Sequence, residues 1–291
     1  PLAGGFHDIY DTWPWIANER RDLQAAYFQD IWDINQSVRL IVGSRYDHYS
    51  DVGSSFNPRA SLIWSFMNDS RMLFTYGTAF RAPNFGELYN ANNPTFIGNP
   101  ELNPEEIETF ELSVNSQISK RSDISATIFK NNISEVIGKQ AGFVNNGGRL
   151  EVSGLELELK SRLKDGSNLG LNYTYQYPKD KNSGERSPNI PIHIANASYH
   201  YRYSQFLSAY FGLHYRGEIR RGSADTRPNI KDTPTLDAAL NLKSSDKNTH
   251  IKLSVYNVFN EPYVDPSENN TVNSDFPRAG RNFMIEVTQK L

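Results

Sequence analysis

Hydrophobic and polar residues alternate with a period of two along almost the whole chain, and helical periodicity is hard to find. Leu169, Leu171, Tyr173, Tyr175 and Tyr177 form one face of a segment whose other face is Asn168, Gly170, Asn172, Thr174 and Gln176. Leu207, Ala209, Phe211, Leu213 and Tyr215 repeat the pattern against Ser208, His214 and Arg216. So do Leu155, Leu157 and Leu159 against Glu156, Glu158 and Lys160, and Leu236, Ala238, Leu240 and Leu242 against Asp237, Asn241 and Lys243. The alternation predicts about thirteen strands of roughly ten residues, the length that crosses a bilayer at a tilt near 45°. They fall near 22–33, 36–49, 56–66, 70–80, 106–118, 122–137, 149–163, 167–178, 190–203, 206–217, 234–243, 248–259 and 281–290.

The connections are short and long in strict turn. Ile34-Asn35, Met67-Asn68-Asp69, Ser119-Lys120-Arg121, Lys164-Asp165-Gly166, Ser204-Gln205 and Ser244-Ser245-Asp246-Lys247 are short. Between them lie longer Gly-, Pro- and Asn-rich stretches at 50–55, 81–105, 138–148, 179–189, 218–233 and 260–280. A single amphipathic strand fits a half-exposed soluble sheet equally well. Six alternations of loop length in phase with the strand faces do not, because a sandwich needs Greek-key crossovers. They fit an all-β, antiparallel, up-and-down transmembrane barrel in a bacterial outer membrane, with short periplasmic turns and long extracellular loops. Residues 1–20 then lie outside the cell. Thirteen is odd, whereas bacterial single-chain barrels have even strand counts, and open edges in lipid leave backbone groups unpaired. The expectation is that residues 1–291 form only part of a larger barrel.

Composition agrees once the barrel is considered. No stretch approaches the roughly 18 apolar residues of a membrane helix, and strands with one polar face average out to a soluble-looking hydropathy. The 16 Tyr, 16 Phe and 4 Trp suffice for aromatic girdles at the two interfaces. The formal net charge of -3 offers no basic surface for nucleic acid, and with no cysteine there is neither a disulfide nor a Cys-ligated metal. Pro1–Gly5 lacks the charged and apolar regions of a signal peptide.

Five segments, in order, resemble the C-terminal barrel of TonB-dependent outer-membrane receptors. Thr75–Tyr89, containing Arg81-Ala82-Pro83, is similar to that family's aromatic-Arg-Ala-Pro box. Gly98–Glu106 followed by Phe110-Glu111-Leu112 is similar to its Asn-Pro-x-Leu-x-Pro-Glu box. Ser153–Leu157, Ser254–Tyr263 and Pro277–Phe283 resemble its Gly-hydrophobic-Glu strand, its penultimate strand and the approach to its last strand. The resemblance implies the last thirteen strands of a 22-stranded barrel whose plug domain and TonB-contact segment are absent here. It also implies an import receptor, energised by the TonB complex, for a metal chelate. A ferric siderophore heads the choices and cobalamin follows. A passive diffusion porin and a barrel protease or lipase are rivals of other classes. Such barrels usually end in an aromatic residue; here Phe283, Ile285, Val287 and Leu291 keep parity while Gln289 breaks it.

The long 81–105 loop is where a barrel rim would meet ligand, so Phe85, Tyr89, Asn92 and Phe96 are candidate contacts for an aromatic or amide-rich chelate. Arg81 and Glu106 read instead as anchors of the loop ends. Arg220, Arg221 and Arg227 cluster in the 218–233 loop against Glu218, Asp225 and Asp232, a set that attracts an anionic chelate or lipopolysaccharide phosphate. Plain solvation is the commoner fate of such runs. Glu111, Lys130, Glu156, Glu158, Lys160, Lys243 and Lys252 are expected to line a wet lumen. None of His7, His48, His193, His200, His214 and His250 lies between the two rim boxes, where haem receptors of the family carry their ligand. His193 and His200 must face opposite ways because odd spacing reverses direction. No zinc spacing, catalytic triad, carboxylate pair or phosphate loop appears, and the Asp and Asn of 265–275 lack calcium-loop spacing. No enzyme activity and no cofactor are expected. The expected partners are the TonB complex, outer-membrane lipid and lipopolysaccharide, and the chelate.

Overall fold

The structure, a computed structural model, describes Ile16 and residues 18–93, 96–140, 142–246, 248–267 and 274–290. Most of the 1–20 segment, His7 and the centre of 265–275 therefore lie outside the described residues. Among those described, thirteen strands form one antiparallel sheet in which every strand pairs with its sequence neighbour, from β1 to β12 and then β15. They are β1 (Leu23–Asn35), β2 (Val38–Tyr49), β3 (Gly53–Met67), β4 (Ser70–Arg81), β5 (Glu105–Ser119), β6 (Ser122–Gln140) and β7 (Phe143–Arg162). Next come β8 (Asn168–Asp180), β9 (His193–Arg202), β10 (Leu207–Arg216), β11 (Thr233–Lys243), β12 (Thr249–Tyr256) and, after a two-strand ribbon of β13 (Val264–Asp265) and β14 (Phe276–Pro277), β15 (Asn282–Gln289). The sheet is the wall of an up-and-down barrel, with β1 and β15 at its two unjoined margins.

Directly opposed residues share a face, so the register sorts the side chains. One rung runs Leu155↔Tyr175, another Leu157↔Tyr173, another Leu171↔Ala197↔Leu213↔Leu236, and another Leu240↔Leu253↔Ile285. Trp64, Phe74, Ile128, Leu157, Leu171, Leu213, Leu240 and Ile285 are all exposed, and their side of the sheet is a continuous apolar band that meets lipid. The opposite face carries Glu111, Thr127, Glu156, Asn172, Asn196, His214, Asp237, Lys252 and Glu286, a wet lumenal wall. Lys252 and Glu286, opposite each other, form an ion pair at 2.9 Å there. Lys130 departs from the expectation. It pairs with Ser153 and shares parity with Ile124 and Ile128, so it points outward rather than into the lumen.

Local chemistry explains the short turns. Asn35 Oδ1 accepts from the backbone N–H groups of Ser37 and Val38, Asp165 Oδ1 from Ser167, and Asp246 Oδ1 from Asn248. These side chains satisfy a turn's free donors where the strands cannot. Gly166, at φ +86°, sits in a conformation that a Cβ would strain. Bulges between Asp33 and Asn35, Ser65 and Met67, and Gln117 and Ser119 end three ladders at this same rim.

At the other rim the structure differs from the sequence reading in four places. The 50–55 stretch is only a tight turn, because β2 and β3 pair as far as Tyr49↔Gly53. The 138–148 stretch is no open loop: β6 and β7 continue as a hairpin as far as Gln140 and Phe143, past bulges around Val136 and a positive φ at Glu135. The 81–105 loop holds a five-residue helix, α1 (Phe85–Tyr89). The 260–280 loop holds the β13–β14 ribbon.

Candidate ligand-binding rim

α1 begins with a capping box. Asn84 Oδ1 accepts from the Glu87 N–H while Glu87 Oε2 accepts from the Asn84 N–H, so two of the helix's free donors are used at once. Arg81 closes the start of the loop, donating to both carboxylate oxygens of Glu87 at 2.9 and 3.1 Å and to Glu105 at 2.5 Å. The anchoring role expected of Arg81 is present. Its partner at the far end of the loop is Glu105 and not Glu106, which instead opposes Phe80 across the ladder.

The loop has its own core. Leu88, Leu102 and Val144 are buried together, with Val52, Tyr89, Phe96 and Ile137 packed against them. Val144 comes from the β6–β7 hairpin, and the backbone completes the join: Ile97 N–H donates to Gly142 O at 2.8 Å and Val144 N–H to Ile97 O at 3.0 Å. Gly98 allows the loop to fold back on α1, because a Cβ there would lie 2.7 Å from Asn90 N and Leu88 O.

This core decides what the aromatic candidates do. Phe96 packs against it, and the Lys139 ammonium sits 4.0 Å above the ring centroid. Phe85 and Tyr89 meet as a tilted pair with ring centroids 6.0 Å apart. The Arg21 guanidinium lies 5.1 Å over Phe85 and 5.4 Å over Tyr49, with bonds to both oxygens of Asp51 and to Pro83 O. Tyr89 OH reaches Asp51 at 3.5 Å, and burial, with that carboxylate beside it, pushes the phenol above its usual range. Asn92 is exposed at the loop's tip. Phe85, Tyr89 and Phe96 thus brace the rim and are half-buried there.

The arginines of the other loop separate. Arg221 is 5% exposed: it donates to Asp275 at 3.0 and 2.5 Å and to Pro228 O, and lies 3.4 Å from Asp225. Arg227 grips Asp225 at 2.6 Å and donates to Ser267 O and Oγ. Beneath them Ile219 and Ile230 are buried and bridge each other. Arg227's guanidinium holds the Asp225 carboxyl well below the usual carboxylate range, and Arg221 does the same for Asp275. The result is a weld between the 217–232 and 257–281 loops, reinforced by Arg216 to Asp265 and Val264 O, while Arg278 holds Asp265 within the second loop. Arg220 alone of the three stands out, 47% exposed with Glu185 no nearer than 3.9 Å.

Below these loops, on the lumenal face, is a recess of about 530 Å³ bordered by Asn196, His214, Arg216, Asp237, Tyr256 and Tyr263. A row of side chains crosses four strands there. Asn196 donates to Asn172 at 2.8 Å, its own carbonyl meets His214 Nδ1 at 2.8 Å, and His214 Nε2 lies 3.6 Å from Asp237. Sequence reading missed this row. The signal was available as polar residues at one parity on β8 to β11. No group of three metal-ligating side chains occurs among the described residues. His193 opposes Tyr175 on the lipid side and His200 opposes Asn168 on the lumenal side, as odd spacing requires.

The apolar outer band, polar lumenal wall and segregated loops define a bacterial outer-membrane β-barrel. The family described as "TonB dependent receptor-like, beta-barrel" matches residues 4–260, and the chain belongs to it. The iron-regulated outer membrane virulence protein of Vibrio cholerae is 27% identical over 267 residues, covering 81% of this chain and 40% of that protein. Among solved structures, the siderophore receptor PirA of Acinetobacter baumannii superposes with a TM-score of 0.78 at 19% identity, covering 92% of this chain and 46% of that one. The ferric-catecholate import receptor Fiu of E. coli K12 gives 0.76 at 20% identity, with 92% and 44% covered. The chain thus spans less than half the length of the relatives it matches.

Proposed function

We propose that the protein containing this chain is a TonB-energised importer of an anionic iron chelate of the siderophore class. The chain would supply much of the wall and several extracellular loops of that receptor. In this reading the rim captures the chelate, a plug within the barrel takes it over, and the TonB complex opens the way through. The role is binding and passage rather than chemistry.

The observation that carries the reading is the family match, which runs through the rim boxes as well as the strands. Support comes from relatives whose names refer to iron regulation, siderophores and ferric catecholates. The geometry adds a rim whose one prominent unburied arginine in the 217–232 loop is Arg220, above a lumenal recess lined by amide, imidazole, guanidinium and phenol groups. Those groups suit an oxygen-rich anion.

The test is uptake of radiolabelled iron by cells carrying the complete gene, offered one siderophore at a time, with and without TonB. Accumulation of at least one ferric siderophore that disappears without TonB is the expected result. TonB-independent entry of small solutes, with no chelate retained, would identify a diffusion pore instead.

A further inference from the structure

On β6, β7 and β8 the outward face changes character at one height. Ile128, Leu155 and Tyr175 form the top apolar rung. The next outward rung is Lys130, Ser153 and Tyr177, and the next Asn132, Glu151 and Lys179. Above them Arg149 and Lys181 meet through the backbone, and Arg186 bridges to Lys179. Arg186 itself donates to Ile190 O and Glu218 O, so four cations, Lys130, Arg149, Lys179 and Lys181, are stacked just above the lipid band against the carboxylates of Glu151 and Glu108. Glu151 binds Lys130 at 2.9 Å and Lys181 at 3.1 Å, while neither Arg149 nor Lys179 has a carboxylate partner among the described residues. Glu108 is engaged by Tyr76 and Asn132.

A second feature lies below on the same outer surface. Ala195 and Ala197 of β9 stand between the larger Leu157, Leu171 and Leu213, leaving an almost wholly apolar recess of about 370 Å³. It is some six residues down β7 from Glu151, roughly 20 Å along the strand.

We propose that this face is a binding site for one phosphorylated lipid of the outer leaflet. Arg149, Lys179 and Lys181 take the headgroup phosphates, and the Ala195–Ala197 recess takes an acyl chain. Height and chemistry support each other. Lysine stems lie along apolar surface while their ammonium groups reach the headgroup plane, and a guanidinium fork matches a phosphate in two-point contact. Tyr76, Phe110 and Tyr177, sharing rungs with Lys130, mark the interface between the two. The site faces away from the lumen, so it does not depend on what the receptor imports.

The experiment uses the full-length receptor, purified in mild detergent and exposed to phosphatidylcholine vesicles containing either bis-phosphorylated lipid A or the same lipid stripped of phosphate. Native mass spectrometry counts retained lipid. The triple variant Arg149→Gln, Lys179→Gln, Lys181→Gln should retain bis-phosphorylated lipid A about tenfold or more less well, since each cation near a phosphate surface contributes on the order of 1 kcal/mol. Stripped lipid should bind the unsubstituted receptor as weakly. Ala197→Phe, which fills the recess, should also lower retention while leaving the cations in place. Folded migration on an unheated gel controls for assembly, and single Lys179→Gln replaces the triple variant if that control fails. Undiminished retention by the charge variants, or equal binding of stripped lipid, would overturn the proposal.

Discussion

Leu88→Ala tests whether the rim loop is held by its own small core. Leu88 is 1% exposed and is wedged between Leu102 and Val144. Truncating a buried leucine to alanine costs about 2–5 kcal/mol, the spread reflecting how far the surroundings close over the cavity. The barrel ladders do not use Leu88, so the cost falls on the local closing of the 82–104 loop against the β6–β7 hairpin. At about 1.4 kcal/mol per factor of ten, the loop's opening equilibrium should rise by about 30-fold or more. The amides of Gly98, bonded to Asn90 O at 2.7 Å, and Asn99, bonded to Glu87 O at 2.8 Å, report that opening directly. Hydrogen exchange on the full-length receptor should accelerate at both by that factor, while amides in the β8–β9 ladder keep their protection. A change of less than about twofold at Gly98 and Asn99 would refute the reasoning, because the loop would then be held by something other than this cluster.

Four further outcomes follow from the geometry. Arg220→Ala should weaken binding of an anionic chelate in an equilibrium titration while leaving proteolytic resistance unchanged. Arg221→Ala should do the reverse, exposing the 217–232 and 257–281 loops to protease, because it strips a buried partner from Asp275. Gly98→Ala should loosen the same loop as Leu88→Ala, since its Cβ would press on backbone atoms at 2.7 Å, and protease nicking between α1 and β5 measures it. Asp225 and Asp275 are held below the ordinary carboxylate range, so their contribution to the weld is complete above about pH 4 and is lost only as pH falls through the lowered values. Protease resistance of these two loops should therefore be flat from about pH 5 to 8 and fall below about 4; a loss near neutrality would contradict it.

The strands were legible because membrane crossing imposes one rule on every segment: one parity for lipid, the other for water. Thirteen strands in sequential order appear as the sequence implies, whereas the long connections expected at 50–55 and 138–148 are tight turns; the polar Gln289 is accommodated by accepting a bond from Thr249 Oγ1 at 2.6 Å. The same rule would have turned Lys130 outward, two residues from Ile128. Its charge suggested the lumen, whereas its height above the lipid band makes an outward ammonium affordable. The rim was less legible. Asn84-x-x-Glu87 is a capping signature within a stretch too short to show helical periodicity. The Gly- and Asn-rich 138–148 segment looks like loop although period two persists through it. The fate of Arg221 depends on Asp275, 54 positions away, a pairing that no local pattern encodes.

The extended β6–β7 hairpin raises one part of the rim. Its strands have 19 and 20 residues, whereas β9 and β10 have ten each. With the short turns at a common level, the extra length raises one side by roughly 20 Å. On the side of β9 and β10 the rim is built instead from the joined 217–232 and 257–281 loops. Arg220 stands in the first of those loops, 47% exposed and 3.9 Å from Glu185, so an arginine faces the approach beside the raised hairpin.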